Sequence, residues 1–345
     1  MKARAIVLVI LLVLTFSAVR YLTRDRHDVA SERVKSAATA PAQADREPAK
    51  PHQPTPVPLN RGHEVAEGFR GDVHPLLFGQ TRLELTAQWT PVGKGRDQLH
   101  RDLNPKVYAW FTSLQPAQPK QTYTERDFSA FLPAAVSEVG QLWSLDPEKM
   151  AGFLKQFHAH PSMHLVASGR RAGPDGAFAI LRAISPKYLD IGFRIHAEFY
   201  LTPDDWPLDG PQLRAWYTPA YFSGRVLVNR QAGVVEHFRL AMANDKALNV
   251  HLTVEAKGIG DRRQAHDVVR VERMELSGGD GTLAESASWT SSLPAADANT
   301  RLAKVFYKSL EINWLPFEQV SAKARGSGKP IFAVVSWGAF DDQSC

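Results

Sequence analysis

A chain of 345 residues, 44% of them hydrophobic, is long enough for one large or two medium folded domains and too apolar for wholesale disorder. Its net charge of +5 belongs to the N-terminal tail, because residues 1–60 hold nine Lys/Arg against five Asp/Glu and the other 285 hold 32 against 31. A balanced folded part offers no basic face for phosphates, which excludes nucleic acid as a partner, and the single cysteine, Cys345, excludes an internal structural disulfide.

Ala5 to Val19 is a nearly unbroken apolar run, preceded by Lys2 and Arg4 and followed by Arg20, Arg24 and Arg26. Fifteen helical residues reach about 22 Å, short of the roughly 30 Å hydrocarbon core; Tyr21 and Leu22, with Arg20 snorkelling, bring residues 5–22 close to a full span. A cleaved leader has a similar apolar length, but for a cut after Ala18 the position that wants a small residue holds Phe16. Residues 1–24 therefore read as a signal anchor in the lipid bilayer, with a cleaved leader as the alternative. Either exports the rest of the chain, and the anchor leaves the bulk extracytoplasmic, on the periplasmic or cell-surface side or in a secretory lumen. Residues 25–60 read as a linker, since Pro41, Pro48, Pro51, Pro54, Pro56 and Pro58 remove donors and favour extended backbone.

Residues 61–310 read as an α+β domain rich in antiparallel strands. Thr81–Trp89 alternates as a strand does. Asp146-Pro147-Glu148 opens a helix, with Asp as N-cap and Pro at the first helical position, and Met150, Phe153, Leu154 and Phe157 share its face. Residues 176–184, 191–201, 222–229, 234–242, 247–256 and 267–277 each read as a strand, broken by Gly, Pro, Asn or Asp. On 193–201, Phe193, Ile195, Ala197, Phe199 and Leu201 take a core face; Arg194, His196 and Glu198 line the other, as a cross-strand ladder or a surface for a partner. Gly278–Gly281 reads as a turn and Asn299–Leu310 as a helix.

Several tempting motifs read as ordinary. His158, His160 and His164 cluster near Pro161 without an acidic or cysteine companion close in sequence, so no metal is expected. Gly326-Ser-Gly-Lys329 lacks the upstream glycine and the Ser/Thr of a phosphate loop, and no calcium loop of alternating acids ending in Glu is present.

Residues 311–345 read as the opening of a thioredoxin-like domain. A helix follows Pro316, with Phe317, Val320 and Ala324 on one face and Gly326 at its C-cap. Pro330–Trp337 is a short apolar run that reads as a strand buried on both faces, and a polar loop then leads to Cys345. Such a domain needs about 100 residues, so the expectation is a truncated one. Asp341 and Asp342 raise a nearby thiol pKa unless they serve as helix caps, the role favoured here.

The run Trp337-Gly-Ala-Phe-Asp-Asp-Gln-Ser-Cys345 resembles the segment before the selenocysteine of the selenoprotein N family, whose motif continues Ser-Cys-selenocysteine-Gly. Phe193–Phe199, Trp216–Gly224, Phe238–Leu240, Leu248–Val250 and Leu315–Phe317 resemble segments of the same family, in the same order. The resemblance implies a membrane-anchored oxidoreductase acting on protein thiols and disulfides. Cys345 is its resolving thiol, Trp337, Gly338, Asp341, Asp342, Gln343 and Ser344 support the redox loop, and selenocysteine is an encoded residue beyond Cys345 rather than a cofactor. On that reading the chain as given has little activity. The competing expectation is a complete, non-catalytic, membrane-tethered β-rich module that binds a protein partner.

Overall fold

The computed structural model describes residues 77–90, 105–136, 138–167, 170–201, 213–246, 248–256, 262–334 and 340–343. The chain divides into two units, Met1–Val57 and Pro58–Cys345, and all described residues belong to the second. The expected anchor and linker lie outside the described residues, as do Trp337, Gly338, Ser344 and Cys345. Among the described residues no helix is long and apolar enough to cross a membrane.

The strands in chain order are β1 (Arg82–Thr90), β2 (Lys120–Thr124), β3 (Leu142–Ser144), β4 (Pro161–Ser162), β5 (His164–Ala167), β6 (Arg170–Asp175), β7 (Ala177–Ile184), β8 (Tyr188–Ile195), β9 (Glu198–Leu201), β10 (Leu213–Pro219), β11 (Phe222–Asn229), β12 (Val234–Met242), β13 (Leu248–Ala256), β14 (Arg262–Val269), β15 (Arg273–Gly279) and β16 (Ser291–Ser292). The helices are α1 (Pro105–Phe111), α2 (Glu125–Phe128), α3 (Pro147–Leu154), α4 (Gly281–Ser286), α5 (Ala295–Phe306) and α6 (Phe317–Ser327). One antiparallel sheet runs β16-β7-β8-β11-β12-β15-β1-β2, with β3 also paired to β7; a second runs β14-β13-β10-β9-β4; β5 and β6 pair with each other.

The two sheets share one core. Trp89 on β1 lies 5.2 Å from Tyr217 on β10 and 6.5 Å from Phe199 on β9, ring centre to ring centre. Elsewhere in the core Phe238 on β12 packs against Phe128, Phe131, Phe153 and Phe193. The start of α3 is as the sequence predicts: the Asp146 side chain accepts from the Glu148 N–H, Pro147 begins the helix, and Met150, Phe153 and Leu154 are buried. The other face of the large sheet is covered too. Leu302 and Phe306 of α5 pack on Phe178 and Ile180, and Ala284 of α4 joins Tyr188 and Leu227. That double cover explains why β7 and β8 are apolar almost throughout.

Five expectations are corrected. The strand expected over 191–201 is two strands in different sheets, because the chain leaves the large sheet after Ile195 and enters the small one at Glu198. The strand expected over 267–277 likewise splits into β14 and β15; the Asn249 side chain takes both backbone groups of Val271 in the gap, accepting from its N–H and donating to its carbonyl, each at 2.8 Å. The helix expected over 299–310 is α5 followed by a 3₁₀ turn over Lys308–Glu311. Helix α6 forms where expected but buries no residue and ends on Gly328, whose φ of 65° only glycine adopts freely, rather than on Gly326. Residues 330–334 do not form the expected buried strand: no strand pairs with them among the described residues, and Phe332 is 82% exposed. Strand β10, which contains Trp216 and Tyr217, is absent from the sequence reading because its ends lie among prolines that mask the pattern.

Candidate functional site

Two chain crossings between the sheets lie side by side. Ile195 pairs with Phe222 in the large sheet and Phe199 with Tyr217 in the small one, so residues 196–197 and 220–221 cross over side by side. Gly176 sits against this crossing; a Cβ there would lie 2.4 Å from the His196 carbonyl oxygen and 2.8 Å from the His164 nitrogen, so only glycine fits without movement. A crossing strand abandons its ladder and leaves carbonyls that need donors.

Gln343 supplies those donors. Its side-chain amide donates to the Ala197 and Pro219 carbonyls, each at 2.9 Å, and its backbone N–H donates to the Ala220 carbonyl at 3.2 Å. Beside it Arg194 donates through Nη2 to the Asp341 carbonyl and through Nε to His196 Nε2 at 3.1 Å. The guanidinium carbon lies 3.5 Å from the centre of the Tyr221 ring and 5.6 Å from that of Tyr307. The His196 ring meets Phe306 edge-on at 4.4 Å. The segment 341–343 is thus fastened against a buried arginine and the aromatic rings around it at the junction of the two sheets.

This geometry corrects the face assigned to Arg194, His196 and Glu198. They form no exposed row: they are 3%, 0% and 9% exposed. Arg194 and His196 lie under the terminal segment and the aromatic side chains, and the break between β8 and β9 sends Glu198 elsewhere. Glu198 accepts from the Thr218 hydroxyl at 3.1 Å and lies 3.7 Å from His164 Nε2. His164 also engages the Ser162 hydroxyl, at 2.9 Å, while His158 and His160 face each other at 5.9 Å between ring centres. Among the described residues no three His, Cys, Asp or Glu side chains converge as metal ligands.

Burial first, and then the Arg194 charge, holds the His196 pKa well below the usual imidazole value, against a smaller opposing effect of the Ala220 backbone. Since Arg194 Nε donates to Nε2, the neutral ring carries its proton on Nδ1. Burial also lowers the Arg194 pKa, opposed by Tyr221, Tyr307 and Asp341, and it raises the Tyr221 and Tyr307 hydroxyl pKa values. Because the folded His196 pKa is depressed, the stability it permits is present above about pH 6.5 and is lost as pH falls, when the unfolded chain takes up a proton that the fold refuses. His237, lowered by burial and Arg225, acts in the same direction. Acidification from pH 7.5 to 5.5 is expected to lower stability through His196, by an amount on the order of 1 kcal/mol. Urea titrations of His196→Gln at both pH values are expected to show a correspondingly smaller loss; an equal loss in both proteins rejects the assignment.

Four of the segments that carry the family resemblance meet at this junction. Phe193–Phe199 brings Arg194, His196 and the Ala197 carbonyl, Trp216–Gly224 brings Pro219, Ala220 and Tyr221, and the terminal motif brings Asp341 to Gln343. Leu248–Val250 adds Asn249, whose carbonyl accepts from the Ala220 N–H at 2.8 Å. Selenoprotein N from Homo sapiens is 28% identical over 279 residues, 66% of this chain and 45% of the human protein. Selenoprotein N from Danio rerio is 29% identical over 276 residues, 67% of this chain and 48% of the fish protein.

This chain is related to the selenoprotein N family.

It spans about half the length of the curated relatives it matches. No family model and no solved structure matches it. Of the residues expected to support a selenoprotein N redox loop, Asp341, Asp342 and Gln343 come together with Arg194 and His196, and Asp342 and Gln343 are buried. Tyr221 was legible only as part of a segment shared with selenoprotein N, and Phe306 and Tyr307 only as the end of an amphipathic helix; nothing in their spacing points to a common site.

Proposed function

We propose that this chain carries the thiol of a membrane-anchored thiol/selenol oxidoreductase of the selenoprotein N kind, tethered through residues 5–22 and acting in an extracytoplasmic space on protein thiols and disulfides. What carries the reading is the docking of the terminal motif: segments far apart in sequence, each similar to selenoprotein N, build one junction that holds residues 341–343 just before Cys345. The Cys345 thiol is the resolving group. A selenocysteine after it supplies a nucleophile and leaving group that is ionised at neutral pH. In reduction of a substrate disulfide, selenium takes one substrate sulfur and releases the other as a thiol. Cys345 sulfur then bonds to selenium and releases the second thiol. Two electrons reach the substrate, and a dithiol reductant restores the pair by the reverse exchanges.

The test begins with the gene. A UGA after the Cys345 codon, followed by an in-frame Gly codon and further coding sequence, is the expected result; UAA or UAG overturns the reading in favour of a non-catalytic binding module. The chain extended through that codon, with selenocysteine or cysteine in place, is expected to reduce a protein disulfide. The Cys345→Ser form of the extended chain is expected to fall to background, a loss of at least about a hundredfold. Equal turnover by the two would reject Cys345 as the resolving thiol.

A further inference from the structure

Seven of the eight large hydrophobic side chains exposed among the described residues fall between 312 and 340, on and around α6. Phe317, at the start of α6, is 83% exposed, and no residue of that helix is buried. A helix of 11 residues is marginal in water unless an apolar face of it is packed. Phe317, Val320 and Ala324, spaced by three and four, form such a face. Exposed apolar side chains gathered in this way mark an interaction surface. The charges beside the face identify its cover. Glu318 and Arg325 are both exposed and, being seven residues apart, lie within about 20° of each other around the helix axis, on one flank of the apolar face. Lys323 takes the other flank. If α6 packs antiparallel on α6 of a second copy, a two-fold axis between Ser321 and Ala322 sets Glu318 beside Arg325 of the partner subunit, and symmetry repeats the pair. Phe317 then inserts between the small side chains of Ala324 and Ser327 on the facing helix, while Ser321 and Ala322 let the backbones approach at the centre. A parallel arrangement would face like charges. An anionic bilayer is the poorer cover, because Glu318 lies on a flank that would meet the headgroups.

We propose that α6 is a dimerisation surface, covered by α6 of a second copy of this chain packed antiparallel about a two-fold axis. The interface is isologous, so every contact is made twice. Exposed ion pairs contribute little each, so Phe317 supplies most of the affinity and the two Glu318–Arg325 contacts set orientation and register. Phe332, 82% exposed and five residues beyond the end of the helix, extends the apolar surface. The proposal does not rest on the redox reading, because no residue assigned to the redox loop takes part.

Sedimentation velocity and hydrogen exchange over residues 312–334, both followed on the full chain from low to high micromolar concentration, test this. The expected result is a monomer that becomes a dimer as concentration rises, with the α6 amides gaining protection in step. Phe317→Asp is expected to weaken dimerisation at least about a hundredfold, and Glu318→Arg roughly tenfold. Glu318→Arg combined with Arg325→Glu restores opposite charges across the axis and is expected to return to within about threefold of the wild type. Both positions are exposed, so the core is untouched, and circular dichroism checks folding. All forms carry the same N-terminal apolar run, so differences between them report α6. A chain that stays monomeric, a dimer that survives Phe317→Asp, or a double variant no tighter than Glu318→Arg overturns the proposal. Protection that appears only on adding phosphatidylserine-containing vesicles overturns it in favour of a lipid surface. The chain extended past Cys345 is measured alongside, and if only the shorter chain dimerises, the added residues are the cover and the proposal falls.

Discussion

Asp190→Ala is expected to destabilise the folded unit by about 3–5 kcal/mol, a large part of the stability of a typical domain. Asp190 is 0% exposed on β8, and two guanidiniums converge on it. Arg225 on β11 donates through Nε to Oδ1 at 2.8 Å and through Nη2 to Oδ2 at 2.5 Å, while Arg182 on β7 reaches Oδ2 from the other side. Arg225 also donates to the Ala284 carbonyl at 3.0 Å and pairs with Glu285 at 2.7 Å, which ties α4 to the sheet. Removing the carboxylate leaves two largely buried cations facing each other, and that repulsion, rather than the lost hydrogen bonds alone, sets the magnitude. Asp190→Asn keeps the shape and is expected to lose less. Urea denaturation of both variants checks the order, and a loss under about 1 kcal/mol for the Ala variant would show that the pair is solvated well enough to be dispensable.

Phe238→Ala is expected to cost a similar 3–5 kcal/mol, for an apolar reason. The ring is fully buried on β12 and touches the rings of Phe128, Phe131, Phe153 and Phe193 at centre distances of 5.2 to 5.8 Å. These neighbours come from α2, the turn after it, α3 and β8, so they cannot all collapse into the vacated volume. Phe193 is further confined because its ring lies over Gly224, where a Cβ would come within 2.0 Å of it. The residual cavity therefore adds to the lost transfer energy. In a unit of this size the change corresponds to a melting temperature lower by roughly 6–20 °C. A melt within about 3 °C of the wild type would mean that the aromatic cluster repacks freely.

Much of the fold could be read before any coordinates. The strands 222–229 and 234–242 are where the alternation puts them, and α3 begins at the Asp146 cap. These elements are governed by local rules: side-chain period, a capping carboxylate, a proline at the first turn. The errors fall where a local pattern continues through a change of sheet. Residues 191–201 alternate without interruption, yet the chain crosses over at His196 and Ala197. Period cannot report this, because the same alternation serves either sheet.

The site was legible in its parts and not in its assembly. The terminal motif with Gln343 and Cys345, and the segment with Arg194 and His196, stood out as residue types and as resemblances. By itself the sequence determined the elements set by local rules, such as strands 222–229 and 234–242 and the start of α3, together with the lone thiol and the relationship to selenoprotein N. The tertiary structure decided that Arg194 and His196 are buried under the terminal segment, that Glu198 turns away from them, and that Gln343 satisfies carbonyls freed by two chain crossings. Those outcomes depend on contacts between residues about 120 to 150 positions apart. Such contacts arise only when two sheets close on a common core and leave unmet backbone groups at their junction.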